Sequence, residues 1–343
     1  MIANAERSKS RSRWCGSAGL LAIVLLVSTT ATAETTRTAT EWLEWASGAM
    51  GQQSFVADVI YEQGSHVEAL RLWRDASLAE GSRERLMSLS GPPREILRTP
   101  ATTTYISPTA SPHPRQRLAN RSLRLPGPDA IDQLDQSYTL NLEGQGRVAE
   151  RPAQRLRVIP KDNLRYGYAL WLDQQTGIVL RADILESDGW PVERFMVVDL
   201  ERRDSMDPAL LDPVLAENDA TFERATRADA ARDRDGPIHD NWSLTDPPAG
   251  FIQQADRTEA LPGHERPVRH LVFSDGIASV SVYIKQSGAS EPLQGAMSMG
   301  GVNIHARTQS EVQILAVGQV PAITVERMAN ATVRASQPNA TGQ

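Results

Sequence analysis

The sequence predicts a mainly β protein of the α+β class. An N-terminal curved antiparallel half-barrel with helices on its concave side is followed by a smaller C-terminal α+β domain. Three observations lead to this prediction: a central meander of strands, one amphipathic helix near the start, and a second group of strands beyond a stretch that lacks the β pattern.

The meander occupies residues 165–199. Its first strand has two apolar faces, because Tyr166, Tyr168, Leu170 and Leu172 alternate with Gly167, Ala169 and Trp171. Such a strand is expected to be covered on both sides. The turn at 173–177 ends in a glycine, where a positive φ is expected, and further strands follow at 178–185 and 194–200.

Residues 38–52 have the spacing of an amphipathic helix, with Trp42, Trp45, Ala46, Ala49 and Met50 on one face. Thr38 and Glu41 have the spacing of a capping box. The tryptophans are interpreted as core anchors; the alternative is a helix that plugs one end of the curved sheet and can shift. Strands are predicted at 54–61, 66–74, 94–98, 101–106, 138–142 and 155–159, and a short helix or turn at 84–89.

Residues 107–128 are rich in proline and arginine and predict a long irregular loop. Residues 203–237 predict a linker with a short helix near 210–215. Beyond it, the Asp-Gly pair at 275–276 predicts a hairpin of strands 268–273 and 277–285. We expect a turn at 295–301, strands at 303–307 and 311–318, and a final helix from Pro321 with Ile323, Met328 and Ala329 inward.

The N-terminus has the pattern of a cleaved export signal. Four basic residues precede an apolar run at 20–27, and small residues at 31–33 predict cleavage after Ala33. Removal takes away four basic residues and one acidic one, so the net charge changes from −6 to −9. The single cysteine, Cys15, leaves with the signal. We therefore expect an exported, soluble protein without disulfides, and the acidic balance argues against nucleic acid as a partner.

No catalytic or metal pattern is recognised, so no cofactor and no enzyme activity are predicted. The six histidines do not have metal-ligand spacing. No nucleophile elbow or phosphate-binding loop is present. Five carboxylates lie at turns and strand edges, where solvent exposure is expected: Asp173, Asp183, Glu186, Asp188 and Glu193. A glycosidase-like pair among them is kept only as a third interpretation.

Because no catalytic pattern is present, ligand binding is the function that remains. The concave side of a half-barrel with apolar residues on both faces is only partly filled by helices, which suits an acyl chain. A filled and inert core is the competing interpretation for each residue. Short motifs over roughly residues 40–332 also resemble those of a known family, in the same order. They are GPPRE at 91–95, RYGY at 165–168, LWLD at 170–173 with TG at 176–177, SDGIASVSV at 274–282, Met299-Gly300 with Asn303, and VGQVP at 317–321.

These motifs resemble the periplasmic sigma-E regulators of the RseB and MucB family. The resemblance implies an N-terminal domain similar to the lipoprotein carriers LolA and LolB and a C-terminal domain docked on it. It also implies binding to the periplasmic part of an anti-sigma factor similar to RseA or MucA, protection of that factor from the site-1 protease, and release by lipopolysaccharide or another lipid. Two departures are noted: Gln319 replaces the family's glutamate, and the 107–128 loop is unusually rich in proline.

The resulting expectation has five segments: a signal peptide at 1–33, a lipid-sensing domain at 34–202, a linker at 203–237, an anti-sigma-binding domain at 238–332 and a disordered tail at 333–343. A periplasmic location follows, and a homo-oligomer is left open. The motifs are structural and transfer no site residues. The rival from another class is a periplasmic lipid or lipoprotein carrier without a signalling partner.

The mechanism is a hypothesis with named residues. The lipid is expected in a cavity lined by Phe55, Val59, Tyr105, Tyr138, Trp171, Leu180 and Phe195. Its phosphates are expected to meet Arg115, Arg117, Arg121 and Arg124 at the mouth. The alternative, a solvated loop without a ligand, is the simpler interpretation. The anti-sigma segment is expected on the C-terminal sheet near Arg269, Tyr283 and Lys285 and in the interdomain cleft. Lipid and partner are then negatively coupled.

Overall fold

The computed structural model describes residues 37–78, 81–107, 125–215, 221–226, 242–259, 267–287 and 293–334. All of them belong to one compact unit, Arg37–Gln343. We call residues 37–226 the N-terminal half and residues 242–334 the C-terminal half. In the described part of the chain, no helix is long and apolar enough to cross a membrane.

The first helix, α1 (Ala39–Gln52), begins at the predicted capping box. The Glu41 N–H donates to Thr38 Oγ1 at 3.2 Å, and the Thr38 N–H donates to Glu41 Oε2 at 2.6 Å. The helix buries Trp42 and Ala46 as its period predicts, together with Leu43. Its start and its buried face are therefore both fixed locally.

Eleven strands within the described residues form one antiparallel sheet. They are β1 (Ser54–Gln63), β2 (His66–Asp75), β3 (Arg83–Ser88), β4 (Glu95–Arg98), β5 (Thr102–Ser107), β6 (Tyr138–Val148), β7 (Arg151–Pro160), β8 (Gly167–Asp173), β9 (Val179–Leu185), β10 (Pro191–Arg203) and β11 (Thr221–Thr226). The spatial order is β11-β5-β4-β3-β2-β1-β10-β9-β8-β7-β6, so the two end strands do not pair with each other. The sheet is an open half-barrel, which confirms the predicted fold class.

Helix α1 and a short helix α2 (Pro128–Ile131) lie against the inner face of this sheet. Leu43 of α1 and Ile131 of α2 share one apolar cluster with Leu156 of β7 and Tyr168 of β8. Gly177, in the turn after β8, has a φ of +75° as the sequence predicts. The inner face is thus only partly covered, because these helices pack on β6 to β9.

The outer face of β8 is covered by arginine side chains. Trp171 points outward, and the guanidinium carbons of Arg155 and Arg181 lie 5.0 and 4.2 Å from its ring centroid. The neighbouring Ala169 is only 1% exposed. Arginine stems can shield apolar surface while their charged ends stay in water. The prediction of cover on both sides of this strand is therefore met by side chains rather than by a second layer.

The C-terminal half has a six-stranded antiparallel sheet of order β13-β14-β15-β18-β17-β16 and a two-stranded pair, β12 with β19, among the described residues. The strands are β12 (Trp242–Leu244), β13 (Ile252–Glu259), β14 (Val268–Ser274), β15 (Ser279–Gln286), β16 (Gly295–Met299), β17 (Val302–Gln309), β18 (Val312–Gly318) and β19 (Thr332–Arg334). Helix α3 (Ala322–Ala331) packs Val325 and Met328 on Val280 and Val282 of the sheet. This half is α+β, as predicted.

Four local predictions are wrong. Residues 84–89, predicted as a helix or turn, mostly belong to β3, because pairing with β2 and β4 overrides their helical preference. Residues 295–299 form the edge strand β16 rather than a turn. Within the predicted linker, β11 pairs with β5. Ile323 is 49% exposed, because α3 turns Thr324, Val325 and Met328 inward.

Replacing Gly177 with alanine is expected to lower the free energy of unfolding by about 1–3 kcal/mol. A Cβ at this position would lie 3.0 Å from Ala49 Cβ and 3.1 Å from the Trp45 ring, in a backbone region that disfavours side chains. Gly48→Ala is the matched control, because Gly48 lies in α1 with nothing within 4 Å of a Cβ. We expect it to stabilise by about 0.5–1 kcal/mol. Equal urea unfolding of the two variants would contradict this account of the turn.

Candidate functional site

A cavity of about 990 Å³ lies on the inner face of the large sheet, beside the end of α1. Its described lining comes from both wings of the sheet, including Ser107 of β5, Leu86 of β3 and Tyr168 of β8. Strands that are far apart in the sheet order can line one space only if the sheet curves around it. This volume is in the range of small-molecule sites.

The middle of the cavity is apolar. Phe55 and Ala57 of β1 line it together with Leu70 of β2 and Ile178, next to β9. Residues two apart in a strand point to the same face, so the alternation in β1 and β2 presents apolar side chains to one space. The cavity therefore offers a continuous apolar surface to a ligand.

One wing of the cavity carries buried ion pairs. Arg74 forms an ion pair with Glu84, and Arg98 lies 3.3 Å from the other oxygen of the same carboxylate. Arg94 pairs with Glu68 close by. Burial lowers the pKa of Arg98. All five side chains line the cavity, so its apolar surface ends in a polar wall on β2 to β4.

The C-terminal half contributes to the same cavity. Ile277, at the tip of the β14–β15 hairpin, and Gln319, just after β18, both belong to the lining. Ile277 also packs against the apolar cluster of α1 and β8. A ligand in the cavity would therefore lie next to both halves of the protein.

The two halves meet at a junction that centres on a buried ion pair. Arg165 donates from one nitrogen to Asp275 at 2.6 Å, and both side chains are fully buried. The same arginine donates to Asp162 and, at 2.6 Å, to the carbonyl oxygen of Ala249. The Tyr138 hydroxyl donates to Asp275 at 3.0 Å. Every charge at the centre of the junction therefore has a hydrogen-bonded partner, as burial requires.

Further hydrogen bonds extend the junction. Asn303 donates to the Tyr166 hydroxyl at 2.9 Å, and Thr324 donates to the Leu164 carbonyl at 2.6 Å. Burial raises the pKa of Tyr166 to about 12, so the phenol is neutral near pH 7. A third contact joins Glu193 of β10 to the turn between β16 and β17. These hydrogen bonds make the docking of the two halves geometrically specific, beside the apolar contact of Ile277.

Glycines permit the close approach at this junction. A Cβ on Gly250 would lie 2.4 Å from Ser137 Oγ, and one on Gly300 would lie 2.2 Å from Gln63 Cγ. Both glycines also have positive φ, +84° and +58°. A side chain at either position would push the halves apart.

Motifs that are far apart in the sequence meet at this junction. Arg165 and Tyr166 of RYGY contact Asp275 of SDG and Asn303, which follows the Met299-Gly300 pair. Gln319 of VGQVP contacts Glu193. In the sequence these motifs indicated only a family resemblance, and the interface that they form together was not predicted. The available signal was the arginine of RYGY and the aspartate of SDG, each of which stands next to an apolar strand.

Three carboxylates that were expected in solvent are buried instead. Asp173 is 0% exposed, Asp183 4% and Glu193 8%. Asp173 pairs with Arg151 at 2.5 Å, and Asp183 pairs with Arg181 and with Arg194 across the strands. Asp173 lies at the end of β8, next to the predicted turn, but Asp183 and Glu193 lie within β9 and β10. Arginines of the sheet cover the two aspartates, and the second half covers Glu193.

The apolar residues predicted to bind lipid are partly brought together. Phe55 and Phe195 line the cavity. Val59 and Leu180 are buried in the apolar cluster that contains Phe55, but they are not among the described lining residues. These four residues therefore belong to one wall, in which two reach the surface of the cavity.

The other predicted lipid contacts lie elsewhere. Tyr138 is held at the junction, Trp171 is on the outer face, and Tyr105 of β5 is absent from the described lining. Strand alternation, rather than aromatic character, decides which face a residue occupies. The four arginines predicted at the mouth, Arg115, Arg117, Arg121 and Arg124, lie outside the described residues.

The residues predicted to contact a partner do not share one face. Tyr283 stacks on the ring of His270 at 4.2 Å, and Lys285 lies two residues further along β15 on the same side. Arg269 is instead bonded to Asp256 and to the Trp242 carbonyl oxygen. Burial lowers the pKa of Lys285. In the described residues, no cluster of side chains has the composition of a metal site.

Comparison with known proteins gives matches over both halves. A family model described as the MucB/RseB N-terminal domain matches residues 38–215, and one described as the MucB/RseB C-terminal domain matches residues 237–333. The sigma factor AlgU regulatory protein MucB of Pseudomonas aeruginosa is 31% identical over 288 residues, which cover 81% of this chain and 85% of that protein. The sigma-E factor regulatory protein RseB of Escherichia coli K12 is 25% identical over 292 residues, covering 80% and 83%.

Solved structures give a consistent result. The Pseudomonas aeruginosa MucA/MucB complex contains a chain with a TM-score of 0.67 and 26% identity, covering 87% of this chain and 99% of that one. A crystal structure of MucB has a TM-score of 0.64 and 28% identity, covering 86% and 98%. The likeness therefore extends over the fold of both halves.

We expect Asp275→Asn to lower the free energy of unfolding by about 3 kcal/mol or more, because the buried Arg165 then keeps only the partly exposed Asp162 as a charged partner. The matched control is Asp246→Asn, which removes an ion pair to Arg327 whose side chains are 43% and 72% exposed. That change is expected to stay within about 1 kcal/mol. Urea unfolding measures both; a loss for Asp275→Asn no larger than that of the control would show that the junction does not depend on the ion pair.

Proposed function

The chain belongs to the MucB/RseB family, and on this premise we propose that it is a periplasmic negative regulator of a sigma-E-type envelope stress response. It binds the periplasmic domain of an anti-sigma factor similar to RseA or MucA. Two kinds of finding support this: relatives named as sigma factor regulatory proteins, and a solved relative in complex with MucA. The export signal predicted at residues 1–33 agrees with a periplasmic location.

The finer proposal is that the bound protein protects the anti-sigma factor from site-1 proteolysis and is released by a lipid such as lipopolysaccharide. The observation that carries it is the cavity of about 990 Å³ whose lining includes Ile277 and Gln319 of the C-terminal half. An acyl chain against Phe55 and Phe195 would share this space with the tip of the β14–β15 hairpin. Lipid occupancy then changes how the halves fit together.

Coupling follows from this shared space. If the partner binds across the C-terminal sheet and the interdomain cleft, it favours one arrangement of the halves, and the lipid favours another. Linkage requires that each ligand lowers the affinity of the other by the same factor.

We place the partner near Tyr283 and Lys285, on the sheet face that does not carry α3, with Arg269 at the margin. Lipid phosphates are proposed to bind four arginines: Arg115, Arg117, Arg121 and Arg124. If lipopolysaccharide binding is unchanged after all four are replaced by alanine, these arginines do not bind the lipid phosphates.

Calorimetric titration of the mature protein with the periplasmic segment of its anti-sigma factor tests the function, first alone and then with lipopolysaccharide. We expect tight binding that the lipid weakens. Tight binding that is indifferent to lipid would keep the regulator and overturn the coupling through the cavity. Absence of binding, together with transfer of lipid to an acceptor, would favour a periplasmic lipid or lipoprotein carrier instead.

Leu86→Trp is expected to reduce lipid affinity by about tenfold or more, because the larger ring occupies the apolar part of the cavity. Binding of the anti-sigma segment without lipid should stay unchanged, and lipid should no longer release it. Leu89→Trp is the control, since Leu89 follows the same strand but is 44% exposed and outside the described lining. Equal lipid affinity in both variants would place the lipid somewhere other than this cavity.

A further inference from the structure

Glu193 lies where the large sheet meets the C-terminal half, and three donors converge on its carboxylate. Oε1 accepts from Gln63 Nε2 at 3.1 Å and from the Gly301 N–H at 2.9 Å, and Oε2 accepts from Gln319 Nε2 at 2.9 Å. Gln63 also donates to the Met299 carbonyl oxygen at 3.3 Å. Two of the three donors to Glu193 therefore belong to the C-terminal half, and the carboxylate links the halves directly.

This carboxylate is buried without a cation. Glu193 is 8% exposed, and among the described residues no lysine, arginine or histidine forms an ion pair with it. Asp275, by contrast, is buried together with a cation, Arg165. Burial raises the pKa of Glu193, and the hydrogen bonds from Gly301, Gln63 and Gln319, together with the nearby Tyr61 hydroxyl, oppose that shift only in part.

The surrounding titratable groups do not supply a counter-charge at the carboxylate. The charged or ionisable groups on the elements packed around it are Tyr61 and Glu62 of β1, His66 and Glu68 of β2, Arg94 before β4, Tyr166 before β8, Glu186 after β9 and Arg194 of β10. Burial raises the pKa of both phenols, so both are neutral near pH 7. Arg94 is engaged with Glu68. Glu193 is thus the buried carboxylate that links the two halves here, and among the described residues it faces no cation.

We propose that Glu193 is a proton-binding switch that sets how firmly the two halves are joined, with the protonated form favouring the joined state. When the halves separate at this point, the carboxylate regains water and its normal affinity for protons. The joined state then binds the proton more tightly than the separated state does. By linkage, the contact is strongest in acid and weakens as the pH rises through the raised pKa of Glu193.

The direction of its pH dependence distinguishes Glu193 from a carboxylate in an ordinary ion pair. A carboxylate paired with arginine, such as Asp183, has a lowered pKa and loses its contribution on acidification. The contribution of Glu193 to the contact is instead lost as the pH rises. The inference concerns the protein alone and goes beyond its proposed function, so neither the anti-sigma partner nor a lipid is needed to test it.

The test follows the amide of Gly301, which donates to Glu193, by NMR on the isotope-labelled mature protein between about pH 4 and pH 8. We expect its proton shift to titrate with a midpoint above the ordinary range of glutamate. Its protection against hydrogen exchange, corrected for pH, should fall across the same interval. Relative to Glu193→Gln, the fall should be about tenfold for each unit by which the midpoint is raised.

Variants separate the switch from a merely structural role. Glu193→Gln keeps the shape and stays neutral, so the Gly301 titration should vanish and protection should become independent of Glu193 ionisation. Glu186→Gln is the matched control. Burial also raises the pKa of Glu186, but among the described hydrogen bonds its carboxylate accepts none from the C-terminal half, so the Gly301 titration should persist. Gln319→Glu should enlarge the pH dependence, because two facing carboxylates share one proton.

A Gly301 midpoint within or below the ordinary glutamate range would overturn the proposal. So would an equal fall in protection in the natural protein and in Glu193→Gln. The first measurement needs no variant, so it decides the matter even if Glu193→Gln does not fold.

Discussion

The buried pair of Arg165 and Asp275 is the constraint on which the arrangement of the protein depends. Neither side chain reaches water, so each charge must be met inside the protein, and Asp162, Ala249 and Tyr138 complete the set of partners. Such a pair adds little net stability over an apolar contact, but it tolerates no other geometry. It therefore fixes the β14–β15 hairpin against the large sheet.

Fixing that hairpin is also what shapes the cavity. Ile277 follows Asp275 by two residues and forms part of the lining, and Gln319 joins it through the contact with Glu193. The cavity and the junction thus share a wall. A ligand in one and the alignment of the other cannot be independent, which is the physical basis for a sensor that passes occupancy on to a bound partner.

Prediction from sequence succeeded where a local period or turn rule operates. The capping box at Thr38 and the positive φ at Gly177 are examples. It failed at residues 84–89, whose helical preference is overridden by two neighbouring strands. It also failed at Asp183, which arginines of β9 and β10 cover, and at Glu193, which the distant C-terminal half covers. For the cavity, alternation placed Phe55 correctly, but grouping aromatic residues by type placed Trp171 on the wrong side.

By itself, the sequence determined the mainly β class, the amphipathic α1 and the hairpin at Asp275-Gly276, because side-chain periodicity and turn chemistry act over a few residues. The motif resemblance added the family. Only the tertiary structure decided that Arg165 faces Asp275, that Asn303 meets Tyr166, and that the Gly301 N–H meets Glu193. These contacts bring together residues more than 100 positions apart, and their energetics depend on burial, which exists only once both halves are docked.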